Sequence, residues 1–304
     1  MLAGTRLGVI PALIEAPHQT GALADRLGLD SERLEVLLGA LASLGYVRRR
    51  RNRQWTATRR SRRWLAEEGG VGAMVGELAY EVWESMGSLE RVLEGGPPTG
   101  WHEREPGDPL WGSYQRAMEQ MERLVAGPIA DAIEVEAPRR LLDLGGGPGL
   151  HAAEMCARHP ALEATVVDLE GATRHAPSLE RVTFRTGDLF ELDLGTGFDV
   201  VTAHSLLHNF APDRCRVILE LARAALAPGG LLAVQELERP AGGRGGSLVS
   251  SLGGLVFLSA MGSRTYSADE LMAMVSDADF GEPEIKRPVR LAGSLVLTAR
   301  RLCA

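Results

Sequence analysis

The chain has a single lysine, Lys286, among its 33 lysine and arginine residues. That preference for arginine reflects coding composition and carries no mechanism. Cysteine is nearly as scarce: Cys156, Cys215 and Cys303 fall in no C-x-x-C or zinc spacing, and the odd count argues against a disulfide framework. Such usage fits a reducing compartment. No apolar run reaches the ~18 residues of a membrane span, and the stretch around Arg6 lacks a long apolar core with a small-residue cleavage site. A cytoplasmic protein with no membrane partner is therefore expected. The net charge of −7 gives no overall pull toward nucleic acid or anionic lipid. Repeats of solenoid period and low-complexity tails are also missing. The rest is globular material, 304 residues with 45% hydrophobic and 24% charged, enough for a full α/β core and a smaller domain.

The chain is organised around Leu141-Leu142-Asp143-Leu144-Gly145-Gly146-Gly147-Pro148-Gly149-Leu150-His151-Ala152. An apolar run ending in an acid, then alternate glycines, then a helix-like stretch predicts the first strand, turn and helix of a Rossmann-type unit. Glycine lets the backbone turn sharply and keeps Cβ atoms away from a ligand, while the helix behind presents unpaired N–H groups. Three more short β-branched runs follow in order: Thr165–Asp168, Val182–Asp188 and Phe198–Val201.

In the N-terminal third, Thr20–Leu27 predicts a helix stopped by Gly28. Asp30 or Ser31 can cap a second helix, with Leu34, Leu37, Leu38, Leu41 and Leu44 on one face. Gly45-Tyr46-Val47 leads into a strand pair that returns through Trp55 and Thr56, the winged helix-turn-helix pattern. Arg48 to Arg51, Arg53, Arg59, Arg60, Arg62 and Arg63 crowd this hairpin. A DNA-binding wing is weighed against a solvated or intersubunit surface, and the latter is preferred because a complete cofactor domain follows. Residues 72–93 predict helix, with Trp83, Met86 and Leu89 on one side, and Gly95 to Gly100 is the clearest linker. This divides the chain into domains 1–98 and 99–304.

From Asp108 to Ile133, Trp111, Tyr114, Met118, Met121 and Leu124 recur at helical spacing and are read as core. Ala227 to Gly230 is expected to end a helix before a buried strand, Leu231–Glu236. Gly242 to Gly246 is a flexible loop, Ser247 to Met261 a helix against the sheet, and Glu284–Val289 with Leu295–Ala299 a closing hairpin.

The glycine loop also fits G-x-G-x-x-A, with Asp168 about twenty residues on, so a dehydrogenase is a rival. Against it, Asp143 directly before the glycines would repel a pyrophosphate but attract the amino group of a methionyl moiety. Asp168 suits two ribose hydroxyls, and Asp188 can accept from an adenine amino group. Three acids around one loop suit S-adenosylmethionine, a cation, better than NAD, an anion.

The glycine loop, Val167-Asp168-Leu169, His175-Ala176-Pro177, Thr186-Gly187-Asp188-Leu189-Phe190, Leu207-His208-Asn209-Phe210 and Pro228-Gly229-Gly230 stand in a telling order and spacing. Over nearly its full length the chain resembles the S-adenosylmethionine-dependent O-methyltransferases of the plant caffeate and bacterial antibiotic-tailoring type. The resemblance implies an α/β fold with a Rossmann-like, mostly parallel seven-stranded sheet and an N-terminal winged helix-turn-helix dimerisation domain, hence a homodimer. It implies that Gly145 and Gly147 line the donor's methionine end, that Asp168 holds its ribose, that Asp188 with Leu189 holds its adenine, and that His204 touches it. It further implies His208 as general base, Glu236 as its orienting acid, and Met118 and Met261 lining the acceptor pocket; no metal is expected, since no carboxylate stands at ligand spacing from His204 and His208.

Three departures stand out. Asn209 replaces a usual Asp, Ser263 stands where many members have a second orienting Glu, and the chain begins close to the first winged-domain helix, so the family's additional N-terminal dimer helix is expected to be missing. The implied activity is methyl transfer to a hydroxyl of a small aromatic or polyketide-like metabolite. Methyl transfer to an activated carbon, a winged-helix regulator sensing S-adenosylmethionine, and a metal bound by His204 and His208 are the alternatives.

Overall fold

The computed structural model describes residues 1–66, 70–72, 74–239, 247–288 and 293–303. They fall into two compact units, Met1–Trp83 with Arg116–Met121, and Glu84–Gln115 with Glu122–Ala304. Glu284–Val289 and Gly242–Gly246 were expected to form a strand and a loop; Val289 and the loop lie outside the described residues.

In the first unit, α1 (Leu2–Arg6) and α2 (Val9–Glu15) precede α3 (Thr20–Leu27), α4 (Ser31–Ser43) and a two-stranded wing, β1 (Val47–Arg49) and β2 (Trp55–Ala57). α3 stops where Gly28 takes a left-handed conformation, φ 65°, and the Asp30 carboxylate caps α4 by accepting the Arg33 N–H at 2.9 Å. The wing is antiparallel, and Trp55 returns to α3 by donating its indole N–H to Thr20 Oγ1 at 3.0 Å. Leu34, Leu38 and Leu41 of α4 bury themselves against Val9, Ile10, Leu13 and Leu23 of the same unit. Most of the leucine face expected at a subunit boundary is therefore spent on the internal core, and Leu44 alone of it is well exposed, at 62%. The arginine cluster is partly structural too. Arg62, on α5 (Arg59–Trp64), donates to the carbonyls of Leu13 and Ile14 and to Thr56 Oγ1.

After a π-helical turn at Met74–Leu78 come α6 (Ala79–Met86), α7 (Leu89–Leu93) and the long α8 (Pro109–Ala130), whose first turn is capped by Asp108. Linker residues 95–100 lie inside the second unit rather than at its border. The N–H groups of Thr99 and Gly100 bond to the carbonyls of Ser259 and Ala260, and Trp101 donates to Ser85 Oγ at 2.9 Å.

The second unit is built on a seven-stranded sheet. Its strands are β3 (Arg140–Leu144), β4 (Glu163–Asp168), β5 (Val182–Thr186), β6 (Phe198–His204), β7 (Leu226–Leu237), β8 (Glu284–Lys286) and β9 (Ser294–Arg300), in the order β5-β4-β3-β6-β7-β9-β8. The first five run parallel and β9 is antiparallel to both neighbours. Crossovers through α9 (Leu150–Arg158), α10 (Glu170–Thr173) and α11 (Pro212–Ala225) are what parallel pairing demands, and they explain why β3 and β6 read as near-continuous apolar runs. α11 ends at Ala225. Residues 227–230, expected to end that helix, instead belong to β7, whose pairing with β6 shifts register between Phe198 and Val200. α12 (Leu248–Met261) and α13 (Ala268–Asp277) complete the described elements, the latter with a full capping box from Ser267 and Glu270. No described helix is long and apolar enough to cross a membrane.

Candidate active site

The carboxyl ends of β3, β4, β5, β6 and β7 deliver the residues singled out in the sequence to one edge of the sheet. At β3 the chain turns through Gly145 and Gly147, with φ of 62° and 52°, before α9 begins. The Gly147 N–H bonds to Asp168 Oδ2 at 2.8 Å, and the other Asp168 oxygen accepts the Leu169 N–H at 2.7 Å, so this carboxylate ties the ends of β3 and β4 together. Asp143 is fully buried beneath the loop and accepts from Thr202 Oγ1 at 2.7 Å, while its Oδ2 has no partner. A Cβ on Gly146 would stand 2.4 Å from that oxygen, so only glycine lets the carboxyl tuck in. Asp188, two residues past β5, accepts the Phe190 N–H at 2.9 Å, and Leu189 beside it is buried. His204 closes β6 and stacks on His151 of α9 with ring centroids 4.3 Å apart; neither Nδ1 has a partner.

Gln115 and Glu122 of α8 complete this surround and were missed in the sequence. Glu122 Oε2 accepts the Leu150 N–H at 3.0 Å, capping α9, and Gln115 is buried with Oε1 unpartnered. A Cβ on Gly147 would lie 3.5 Å from Glu122 Oε1 and 3.7 Å from Gln115 Oε1. The signal was available: residues 111, 115, 118 and 122 share one helical face. The apolar stripe through Met121 and Leu124 drew attention away, and those two side chains are exposed.

Burial sets the electrostatics. It pushes the Asp143 carboxyl up to about 7, with Thr202 opposing and Asp168 adding to the rise. It raises Glu122 well above the usual carboxylate range, helped by the charges of Asp143 and Asp168, and raises Asp168 too. The imidazoles move the other way, His151 down to about 4 by burial and His204 well below its usual value by burial and by His151.

At the ends of β6 and β7, His208 Nδ1 meets Glu236 Oε2 at 2.7 Å, both side chains buried. The second Glu236 oxygen accepts the Leu207 N–H at 2.7 Å, which holds the 3₁₀ turn Leu207–Asn209 that carries the histidine. Phe257 of α12 lies parallel to the imidazole, with centroids 3.8 Å apart and planes 9° apart. Ser263 does not reach His208. Its hydroxyl donates to the Phe210 carbonyl at 3.0 Å, as does Tyr266 at 2.5 Å, so both pin the far end of the turn. Asn209 donates to the Leu206 carbonyl at 3.1 Å. His102 sits close enough to His208 to feel its charge, which adds to burial in lowering His102 to about 4, and it packs beside Trp111 and Tyr114. Met261 ends α12, whereas Met118 lies on the stretch of α8 counted with the N-terminal unit.

The Asp143 carboxyl yields a stability prediction for the ligand-free protein. Its value of about 7 lies above the ordinary 3.8, so below the ordinary value it is neutral folded and unfolded and costs nothing. As pH rises from the ordinary value toward the folded one the cost grows, because the unfolded chain ionises while the folded carboxyl stays neutral, and it levels off above about pH 7. Asp143→Asn, which keeps an acceptor for Thr202, is expected to unfold at the parental temperature near pH 4. Above about pH 7 it should be more stable by on the order of 4 kcal/mol. Thermal unfolding across that range checks this, and a gap that stays constant with pH would contradict it.

Comparison with known proteins agrees with this geometry. The O-methyltransferase domain family matches residues 98–281. A demethylspheroidene O-methyltransferase from Rhodobacter capsulatus is 29% identical over 314 residues, covering 99% of this chain and 78% of that protein. A 3-hydroxy-5-methyl-1-naphthoate 3-O-methyltransferase from Streptomyces sahachiroi is 27% identical, covering 96% of this chain and 87% of that one. Human N-acetylserotonin methyltransferase, solved in complex with S-adenosylmethionine, superposes with a TM-score of 0.87 at 23% identity, covering 99% of this chain and 93% of its own. Two buried acceptors without partners beside a glycine loop fit a cationic donor. The chain belongs to the O-methyltransferase domain family of S-adenosylmethionine-dependent enzymes.

Proposed function

We propose that this enzyme methylates a hydroxyl group of a small aromatic or polyketide-like metabolite, with His208 as general base and Glu236 as its orienting acid. The observation that carries this reading is the buried bond between His208 Nδ1 and Glu236 Oε2 at 2.7 Å. A carboxylate accepting at Nδ1 fixes the tautomer whose Nε2 lacks a proton and can take one from an acceptor hydroxyl. Glu236 then stabilises the imidazolium that forms, and Phe257 keeps the ring in plane. The aromatic groups near His208, with Met261 at the end of α12, suit a flat acceptor.

When bound, S-adenosylmethionine supplies a methyl group made electrophilic by its sulfonium sulfur. Asp168 is assigned to its ribose, Asp188 and Leu189 to its adenine, and Asp143 with the Gly145 and Gly147 backbone to its methionyl end, with His204 alongside. Catalysis then rests on alignment and on removal of one proton, both of which this chain's residues can provide.

A homodimer through the N-terminal unit belongs to the same proposal. Its support is Val36, Ala40 and Leu44, which stand four apart along α4 and its C-terminal cap and form an exposed apolar ridge, Val36 at 75% exposure.

Two outcomes are expected. His208→Ala should lower kcat by about 10²–10⁴-fold with donor affinity nearly unchanged, and Glu236→Gln should cost less because an amide still orients the ring. Turnover across pH, with an O-methyl product identified by mass and NMR, checks this. Near-parental rates in His208→Ala would remove the base. In sedimentation the parent should be a dimer at tens of micromolar and Val36→Glu/Leu44→Glu a monomer; a monomeric parent would refute the dimer.

A further inference from the structure

Two short 3₁₀ turns, each carrying a histidine, lean on the same helix. α12 packs against Trp101–Glu103, which carries His102, and against Leu207–Asn209, which carries His208. Both contacts come from the C-terminal end of the helix. Phe257 stacks on the His208 ring, while the carbonyls of Ser259 and Ala260 accept the N–H groups of Thr99 and Gly100 at 3.1 and 2.8 Å. The chain enters the His102 turn through Gly100, whose φ of 66° is open to glycine. One helix end therefore holds both imidazoles in place relative to each other.

The two rings differ in what they are bonded to. His208 gives Nδ1 to Glu236, whereas the half-buried His102 has its Nε2 3.3 Å from Tyr114 Oη and its ring near-parallel to Trp111, 22° between planes. Trp111 packs in turn against the Gly171 backbone, where a Cβ would collide with its indole, so the ring behind His102 is fixed. Burial, with the charges of Asp168 and Glu122, raises the Tyr114 phenol, which therefore keeps its proton. Burial and the charge of His208 bring His102 down to about 4, so this imidazole is neutral near pH 7. With the phenol donating to Nε2, a neutral ring carries its own proton on Nδ1. His102 thus offers a donor where His208 offers an acceptor.

An aromatic ring with a hydroxyl beside a carbonyl matches that pair. Such a hydroxyl donates to its own carbonyl in solution, and the internal bond holds back the proton that a base must remove. An N–H that takes over the carbonyl oxygen releases the hydroxyl to the base. A neutral carbonyl suits the place better than a carboxylate, because Glu236 beside His208 and Asp168 near Tyr114 already bring negative charge. We propose that His102 is a specificity-determining residue, whose Nδ1–H donates to a carbonyl oxygen ortho to the hydroxyl that is methylated, so that the preferred acceptors are ortho-hydroxyaryl ketones. This rests on the His208 turn being the acceptor site, and it names a class within the small aromatic acceptors proposed above.

Two probes that differ by the ketone, 2-acetyl-1-naphthol and 1-naphthol, test this. Their dissociation constants are measured by calorimetry on the protein saturated with S-adenosylhomocysteine, so no turnover is required. The parent is expected to bind the ketone more tightly by about 10- to 100-fold. His102→Phe keeps a flat ring against Trp111 and loses the donor, and should lower this ratio by about 10-fold. His102→Asn, whose amide N–H stands near the place of Nδ1, should restore most of it. A loss of packing alone would weaken both probes alike and leave the ratio where it was. That result overturns the proposal, as does a parent that binds both probes equally or binds neither. If His102→Phe fails to fold in a thermal scan, Tyr114→Phe, which removes the hydroxyl that fixes the tautomer, decides by the same ratio: a fall of about 3-fold or more is expected, and no fall overturns the assignment. The base is judged separately, on kcat of His208→Ala, so an unchanged ratio together with a lost rate in that variant sinks the donor and leaves the base standing.

Discussion

Because β3 pairs in parallel with β4 on one side and β6 on the other, the chain must leave its carboxyl end over a crevice rather than over a neighbouring connection. Each parallel crossover returns the chain to the opposite edge, so every βα turn of the first five strands opens on the same side. The glycine loop, Asp168, Asp188, His204 and Glu236 are together for that reason and not because they are close in sequence. Asp168 then closes the arrangement by bonding the Gly147 N–H across two strand ends. A carboxylate that accepts two backbone N–H groups fixes the loop shape more firmly than any apolar contact could.

The glycine loop, the succession of strands and the adjacency of His208 and Glu236 were legible in the sequence because each depends on local pattern and on strand order. What was illegible depends on packing between distant residues. The α4 leucines carry the same periodicity whether they face a core or a partner, and only the positions of Val9, Leu13 and Leu23 decide. The α8 site residues were illegible because Gln115 is a polar residue on a buried face and Glu122 a half-buried one, and a hydrophobic pattern passes over such positions. Pro228-Gly229-Gly230 suggested a helix stop, but β7 absorbs the sequence as a register shift beside β6. Ser263 could be aligned but its partner could not: the Phe210 carbonyl that it bonds lies 53 residues away.

The site is dense in polar groups for a buried region. Gln115 Oε1, Asp143 Oδ2, His151 Nδ1, His204 Nδ1 and Asn209 Oδ1 all lack partners, and four of these five belong to the surround of the glycine loop. Such a concentration is costly in a folded protein and is tolerated where a ligand repays it. The contrast with the turn around His208 is instructive. There Glu236 satisfies the imidazole and the Leu207 N–H together, and Ser263 and Tyr266 satisfy Phe210, so that turn is held in shape by the protein's own groups.

The lone lysine has a practical consequence. Lys286 lies on β8, the outer strand of the sheet, and its ammonium group pairs with the exposed Glu134 carboxylate at 2.5 Å. Three strand spacings separate β8 from β6, roughly 14 Å across the sheet. Amine-directed coupling therefore meets one side-chain target, set well apart from the histidine turn. Apart from the α-amino group of the chain, a fluorophore or surface tether would attach to no other amine, because arginine side chains do not react, so Lys286 offers a defined place on the sheet edge without a designed mutation.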